Sequence, residues 1–160
     1  MAEITFHEDE LIVSKTDLKG KITYGNELFL KFAGYSEEEI IDAPHNIVRN
    51  ADMPKIIFKL LWETISSGKE IYAYVVNRSK NGDHYWVFAN VTPSYDANAK
   101  MIGYYSVRRK PSQRALNIIQ PLYKELLMQE KNGGMSASQK TLEKLILDNG
   151  GRYDKFILSL

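Results

Sequence analysis

Residues 71–109, IYAYVVNRSKNGDHYWVFANVTPSYDANAKMIGYYSVRR, decide the fold. Apolar and polar side chains alternate over Ile71 to Ser79, His84 to Ser94 and Met101 to Arg109, and the turn signals Lys80-Asn81-Gly82-Asp83 and Asp96-Ala97-Asn98 separate the runs. Three long antiparallel strands are predicted. Their register sets which residues share a face. A two-residue Asn81-Gly82 turn would put Asn77 with Trp86 and Phe88, whereas a three-residue loop puts it with Tyr85, Val87, Ala89 and Val91. The second arrangement is favoured because it makes an apolar inner wall with one polar handle, Asn77. It also leaves Trp86 and Phe88 on the outer face, where the tail helices, the N-terminal segment or a second subunit must cover them.

Upstream, Leu11 to Thr16 reads as a strand that turns at Asp17-Leu18-Lys19-Gly20 and returns as Lys21 to Tyr24. Asn26 is an N-cap for a short helix with Leu28, Phe29 and Phe32, which Gly34 ends, and Ser36-Glu37-Glu38-Glu39 is a capping box for another. Residues 43–53 fit neither period, and a site is expected there. Pro54 fits the first turn of a longer helix, capped by Asp52 or Met53, with Ile57, Leu60, Leu61 and Ile65 on one face and Gly68 closing it.

Downstream of Pro111-Ser112, Leu116, Ile119, Leu122, Tyr123 and Leu126 recur at helical spacing. Gly133-Gly134 breaks that run, and Ser136-Ala137-Ser138-Gln139 is expected to cap a last helix carrying Leu142, Leu145 and Ile146 before Gly150-Gly151. The apolar stripes of this pair of helices must cover the open sheet face or a partner helix. The layout is α+β: a five-stranded antiparallel sheet with short helices on one face. Residues 1–10 read as an N-terminal cap, 11–110 as the domain and 111–160 as a C-terminal helical extension.

The chain has 160 residues, 21 Lys plus Arg against 20 Asp plus Glu, a net charge of +1 and no Cys. A chain of this size buries roughly two thirds of its unfolded surface, enough for a core with a ligand cavity. Near-neutral charge argues against nucleic acid as a partner, because binding there is carried by clustered cations that release phosphate counterions. No apolar run approaches the roughly 20 residues of a membrane span, and no leader pattern opens the chain, so no membrane insertion and a cytoplasmic protein are expected. The lack of Cys excludes thiolate catalysis, Cys-ligated zinc and iron–sulfur clusters. His7, His45 and His84 lack ligand spacing. No catalytic constellation or metal site is read, and the chain is not expected to be an enzyme.

The runs Thr16-Asp17-Leu18-Lys19-Gly20-Lys21-Ile22-Thr23-Tyr24-Gly25-Asn26, Gly34-Tyr35-Ser36-Glu37-Glu38-Glu39 and Lys80-Asn81-Gly82-Asp83 resemble a PAS sensor domain. More narrowly, Pro44-His45-Asn46-Ile47-Val48-Arg49-Asn50-Ala51-Asp52-Met53-Pro54, Lys80 to Val87 and Pro121-Leu122-Tyr123-Lys124 are similar to the sensory domain of bacterial aerotaxis receptors. The resemblance implies a noncovalently held FAD whose redox state reports electron transport. It implies that Asn26, His45, Arg49, Asn50, Asp52, Trp62 and Asn77 lie at or beside the flavin, and Tyr85 joins them as a candidate. Two positions depart from the receptors: Asn50 stands where a His is usual, and Ile71 where an aromatic is common.

Chemistry supports part of that set. A flavin needs amide-like hydrogen bonds at its ring edge, a cation for its phosphates and apolar walls, and Asn77, Arg49 and Trp62 are residue types that meet those needs. On the residues alone, Arg49 and Asp52 could instead pair with each other or cap the next helix, and Trp62 could be core. The leading expectation is a redox sensor signalling in trans to a separate membrane-bound chemotaxis transducer, a HAMP-type signalling protein. Homodimerisation, and membrane association through that partner, are expected with it. The alternatives are a haem-based gas sensor using His45 or His84 and a cofactor-free interaction module.

Overall fold

The computed structural model describes residues 2–160. Five strands, β1 (Ile12–Asp17), β2 (Ile22–Gly25), β3 (Ile71–Arg78), β4 (His84–Tyr95) and β5 (Met101–Arg109), form one antiparallel sheet in the order β2-β1-β5-β4-β3. Three helices lie between β2 and β3: α1 (Glu27–Ala33), α2 (Glu37–Ile40) and α3 (Lys55–Ser66). Asn26 caps α1 by accepting from the Phe29 N–H at 2.9 Å, and Ser36 with Glu39 forms the expected capping box of α2.

The β3–β4 register is the one expected for the longer loop: Asn77 pairs with Tyr85, Val75 with Val87 and Ala73 with Ala89. The Ser79 N–H donates to the Asp83 carbonyl at 2.7 Å, closing a loop of Lys80, Asn81 and Gly82. Gly82 takes φ 94°, the left-handed backbone that lets the loop turn without a Cβ clash. Asn77, Val75, Ala73, Val87 and Ala89 therefore face α1–α3, and Trp86 and Phe88 face the other way.

Two helices after the sheet, α4 (Gln113–Asp148) and α5 (Tyr153–Leu158), cover that outer face. The Trp86 ring lies 5.8 Å from Tyr123 of α4, and Phe88 stacks on Tyr74 and Tyr72 at 4.6 and 5.7 Å. The Tyr123 and Tyr153 hydroxyls donate to the Tyr74 and Tyr72 carbonyls at 2.5 and 2.8 Å. The tail thus packs on its own domain. At the other end, the Ile4 N–H donates to the His84 carbonyl at 2.7 Å and Phe6 packs on Phe32.

The expected break at Gly133-Gly134 is present: Gly134, at φ 73° and ψ −174°, is non-helical and kinks α4 into two helices. Three other local expectations are corrected. The Ser136 hydroxyl donates back to the Gly133 carbonyl instead of capping the second of these helices. The six-residue α5 was not anticipated, being too short for a periodic signal; buried Phe156 and Ile157 hold it in place. Finally, Pro54 occupies the N-cap of α3 with extended backbone, and neither Asp52 nor Met53 caps that helix. The Glu130 carboxylate of α4 does so across the fold, accepting from the Lys55 and Ile56 N–H groups at 2.8 and 3.0 Å, while Ser138 donates to it at 2.8 Å. An anion at this positive helix end satisfies two N–H groups that no local residue reaches.

Replacing Glu130 by Ala is expected to lower the unfolding free energy by about 1–2 kcal/mol, read from urea denaturation, and Glu130→Gln by less. Equal stability of Glu130→Ala and wild type would show that this end of α3 needs no cap from α4.

Candidate functional site

Residues 43–53 cross the inner face as a strap from one sheet edge to the other. At the β2 end, Lys21 bridges Pro44 and the His45 N–H donates to the Gly20 carbonyl at 2.9 Å. At the β3 end, Arg49 bridges Asn77, the Asn50 amide donates to the Asn77 carbonyl at 3.5 Å, and the Val76 N–H meets the Met53 sulfur at 3.4 Å. Both free edges of the sheet are thereby covered. Within the strap, His45–Val48 form a single tight 3-10 turn.

Strap, α3 and sheet enclose a cavity of about 340 Å3. His45, Val48 and Arg49 line it from the strap, and Phe58, Leu61 and Trp62 from α3. From the sheet come Val75 and Asn77 of β3, Ala89 and Val91 of β4, and a polar floor of Ser14, Ser106 and Arg108. The size falls within the range of small-molecule sites.

The floor is a hydrogen-bonded network. Arg108 donates to Ser14 Oγ at 2.6 Å, to Ser106 Oγ at 2.9 Å and to His45 Nε2 at 3.4 Å, and Ser14 Oγ lies 2.9 Å from the same His45 nitrogen. A guanidinium can only donate, so His45 Nε2 is the acceptor and the ring proton sits on Nδ1. Burial of the imidazole, then the Arg108 charge, hold the His45 pKa down at about 3, although the residue keeps some access to the cavity. Neutral His45 and charged Arg108 are thus a consistent pair.

The wall beside the floor is aromatic and amide. Trp62 stands edge-on to Tyr104 at 5.7 Å and is 41% exposed, so it is a cavity wall and not core. Asn77 is only 5% exposed, lines the cavity, and has the buried Tyr85 hydroxyl beside its side-chain amide. The Tyr85 hydroxyl is near enough to feel Asn77 but is itself unpartnered, and burial pushes it up to about 12. At the mouth, the Arg49 guanidinium lies over Phe58 at 4.1 Å, and Lys19 and Lys59 add two further cations.

Of the eight candidate residues, the fold brings His45, Arg49, Trp62 and Asn77 to the cavity lining. Asn26 lies away from it, where its carboxamide ties the Val13 and Phe29 N–H groups to the Leu11 carbonyl. Tyr85 points into the core against Phe32. Asn50 sits behind the lining with its oxygen on the Asp52 N–H at 2.8 Å, and Asp52 is exposed. Arg49 and Asp52 form no ion pair among the described residues. Ser14, Ser106 and Arg108 were missed: Arg108-Arg109-Lys110 reads as one short basic cluster. Period-two parity was the available signal, since Tyr104, Ser106 and Arg108 share a face and Arg109 takes the other.

The His45 shift has a sign for stability. The unfolded imidazole titrates near 6.5 and the folded one near 3, so between these values the unfolded chain binds more protons. Stability is therefore full above about pH 6.5 and falls as the pH drops toward 3. His45→Asn is expected to show a shallower loss between about pH 7 and pH 4.5 in urea denaturation. An identical slope in the variant would mean that His45 does not titrate on unfolding.

Comparison with known proteins agrees with this architecture. The PAS fold profile matches residues 22–108. The aerotaxis receptor of Escherichia coli K12 is 41% identical over 119 residues, 74% of this chain and 23% of that protein. The biofilm dispersion protein BdlA of Pseudomonas aeruginosa PAO1 is 26% identical over 128 residues, 79% of this chain and 29% of that protein. The chain spans about a quarter of these relatives. A light-oxygen-voltage domain solved in a flavin-analogue study superposes with TM-score 0.60 at 16% identity, covering 72% of this chain and 86% of that one. With the sheet order, the helices on its inner face and the matched profile in agreement, the chain belongs to the PAS fold family.

Proposed function

We propose that this chain is a sensory domain of taxis signalling that holds FAD noncovalently in the strap-covered cavity and reports its redox state. The observation that carries this is Asn77: a nearly buried amide set into an apolar wall beside a cavity of about 340 Å3, with the Tyr85 hydroxyl next to it. A carboxamide has two donor hydrogens and an acceptor oxygen, more than one hydroxyl can meet, so it is suited to a ring edge that offers both kinds of partner. The cavity suits a ring system better than a whole dinucleotide. The phosphates would then lie across the mouth, where Arg49 and Lys19 are exposed and Lys59 is half-buried.

Bound FAD would supply reversible electron uptake, and this chain would supply orientation, a dry wall and a route outward. Asn77 is the first link in that route, because its carbonyl is held by Asn50 of the strap and its strand carries the Tyr72 and Tyr74 carbonyls that accept from α5 and α4. A change in what Asn77 bonds therefore acts on the strand that both tail helices grip. Likeness to the aerotaxis receptor supports a place in taxis signalling; the recipient in this reading is a membrane-bound chemotaxis transducer engaged by a pair of these chains. Nothing in the cavity resembles an acid or base poised over a substrate, which fits a sensor and not an enzyme. The haem reading is not favoured, because His45 Nε2 already accepts from Ser14 and Arg108.

The purified chain is expected to show a two-banded yellow spectrum that bleaches with dithionite and to release FAD on denaturation. Asn77→Ala should bind FAD roughly three- to tenfold more weakly. Arg49→Ala should weaken FAD while sparing riboflavin, which lacks phosphates. A colourless protein that takes up neither flavin would overturn the proposal.

A further inference from the structure

Arg108 is 3% exposed, yet among the described residues no carboxylate lies within ion-pair distance of its guanidinium. Its polar contacts, Ser14, Ser106 and His45, are all neutral. The Nε–H has no partner at all. On its other side lies the Phe29 ring at 5.1 Å, which attracts a cation without neutralising it. Buried charges in folded proteins are ordinarily paired. Burial pulls the Arg108 pKa down to about 10, which still leaves it charged at neutral pH.

This charge lies on the cavity floor, apart from the cations of the mouth. The two positions differ in strength. Arg49 and Lys19 are exposed and screened by water and salt, and Lys59 already pairs with Glu63 at 2.8 Å. Arg108 sits in low dielectric, where a given counter-charge is held far more tightly.

We propose that Arg108 is the specificity-determining residue of the cavity floor, receiving a negatively charged or strongly accepting edge of the bound ring while the phosphates stay with the cations of the mouth. This inference rests on the flavin reading above. It adds a consequence for redox poise. Two-electron reduction of a flavin with uptake of one proton leaves one negative charge on the ring, and a buried guanidinium beside that edge favours the reduced product. The cavity would then select rings with accepting oxygens at the inner edge and draw electrons toward them.

The test compares wild type, Arg108→Gln and Arg108→Lys by titrating the flavin-free full chain with riboflavin and with FAD. Arg108→Gln is expected to weaken both ligands by the same factor, roughly ten- to hundredfold, as loss of a charge-assisted hydrogen bond would give, with partial recovery in Arg108→Lys. Weakening of FAD alone would assign Arg108 to the phosphates, and no weakening would leave it a purely structural cation; either overturns the proposal. Wild type needs no variant for a second reading: with dithionite as reductant, bound riboflavin should be reduced at a higher potential than free riboflavin. A bound potential at or below the free value overturns the proposal even if Arg108→Gln fails to fold. Wild type that binds neither flavin removes the flavin reading itself, a result distinct from wild-type binding that Arg108→Gln leaves unchanged.

Discussion

The parity of β3 against β4 is the constraint on which the rest of the molecule depends. The Ser79–Asp83 bond closes a three-residue loop, and every side chain of two long strands is assigned to a face by that closure. A slip of β4 by one residue would put Trp86 and Phe88 on the same face as Asn77 and send Val87 and Ala89 out. With the observed parity, small Ala73 and Ala89 leave room on the inner face, and the bulky aromatics of the outer face form the seat of α4 and α5. Cavity and tail are thus two consequences of one register.

Around that frame, charge is distributed by depth. The mouth carries cations that water can solvate, and the floor carries one that is buried. His45 mediates between them: the strap suspends it over Ser14, and its neutral ring lends a lone pair to the guanidinium. Two positive groups in this space would repel in low dielectric, so the neutrality of His45 follows from the presence of Arg108. The floor is polar, connected, and one acceptor short.

β3 is where the inner and outer halves meet. Its inner side carries Asn77 and is bridged by the strap; its outer side offers carbonyls to two tyrosine hydroxyls that burial keeps protonated, their pKa values raised above the usual phenol range. The same α4 that grips β3 also caps α3 through Glu130, so the helix lining the cavity and the strand lining it share one support. The bend at Gly134 lies just beyond that cap and lets Ser138 return to Glu130. Such a closed circuit of contacts can couple a change at Asn77 to the position of the tail.

Local pattern sufficed for much of this. Alternation over residues 71–109 determined three strands and their faces, Asn26 and Ser36 determined two helix starts, and the broken period of residues 43–53 marked the strap that supplies His45 and Arg49 to the cavity. These features depend on neighbours within a few positions, which is where periodicity and capping chemistry act. The cap of α3 by Glu130 and the floor joining Ser14, His45, Ser106 and Arg108 could not be read in that way. Their members lie tens of residues apart, and the same Arg that looks solvated within a basic tripeptide is buried because strand parity and the closing strap remove water from around it. The chain by itself determined which faces exist; the tertiary structure decided which distant polar groups meet across them, because hydrogen bonds and buried charge depend on distance in space and not on separation along the chain.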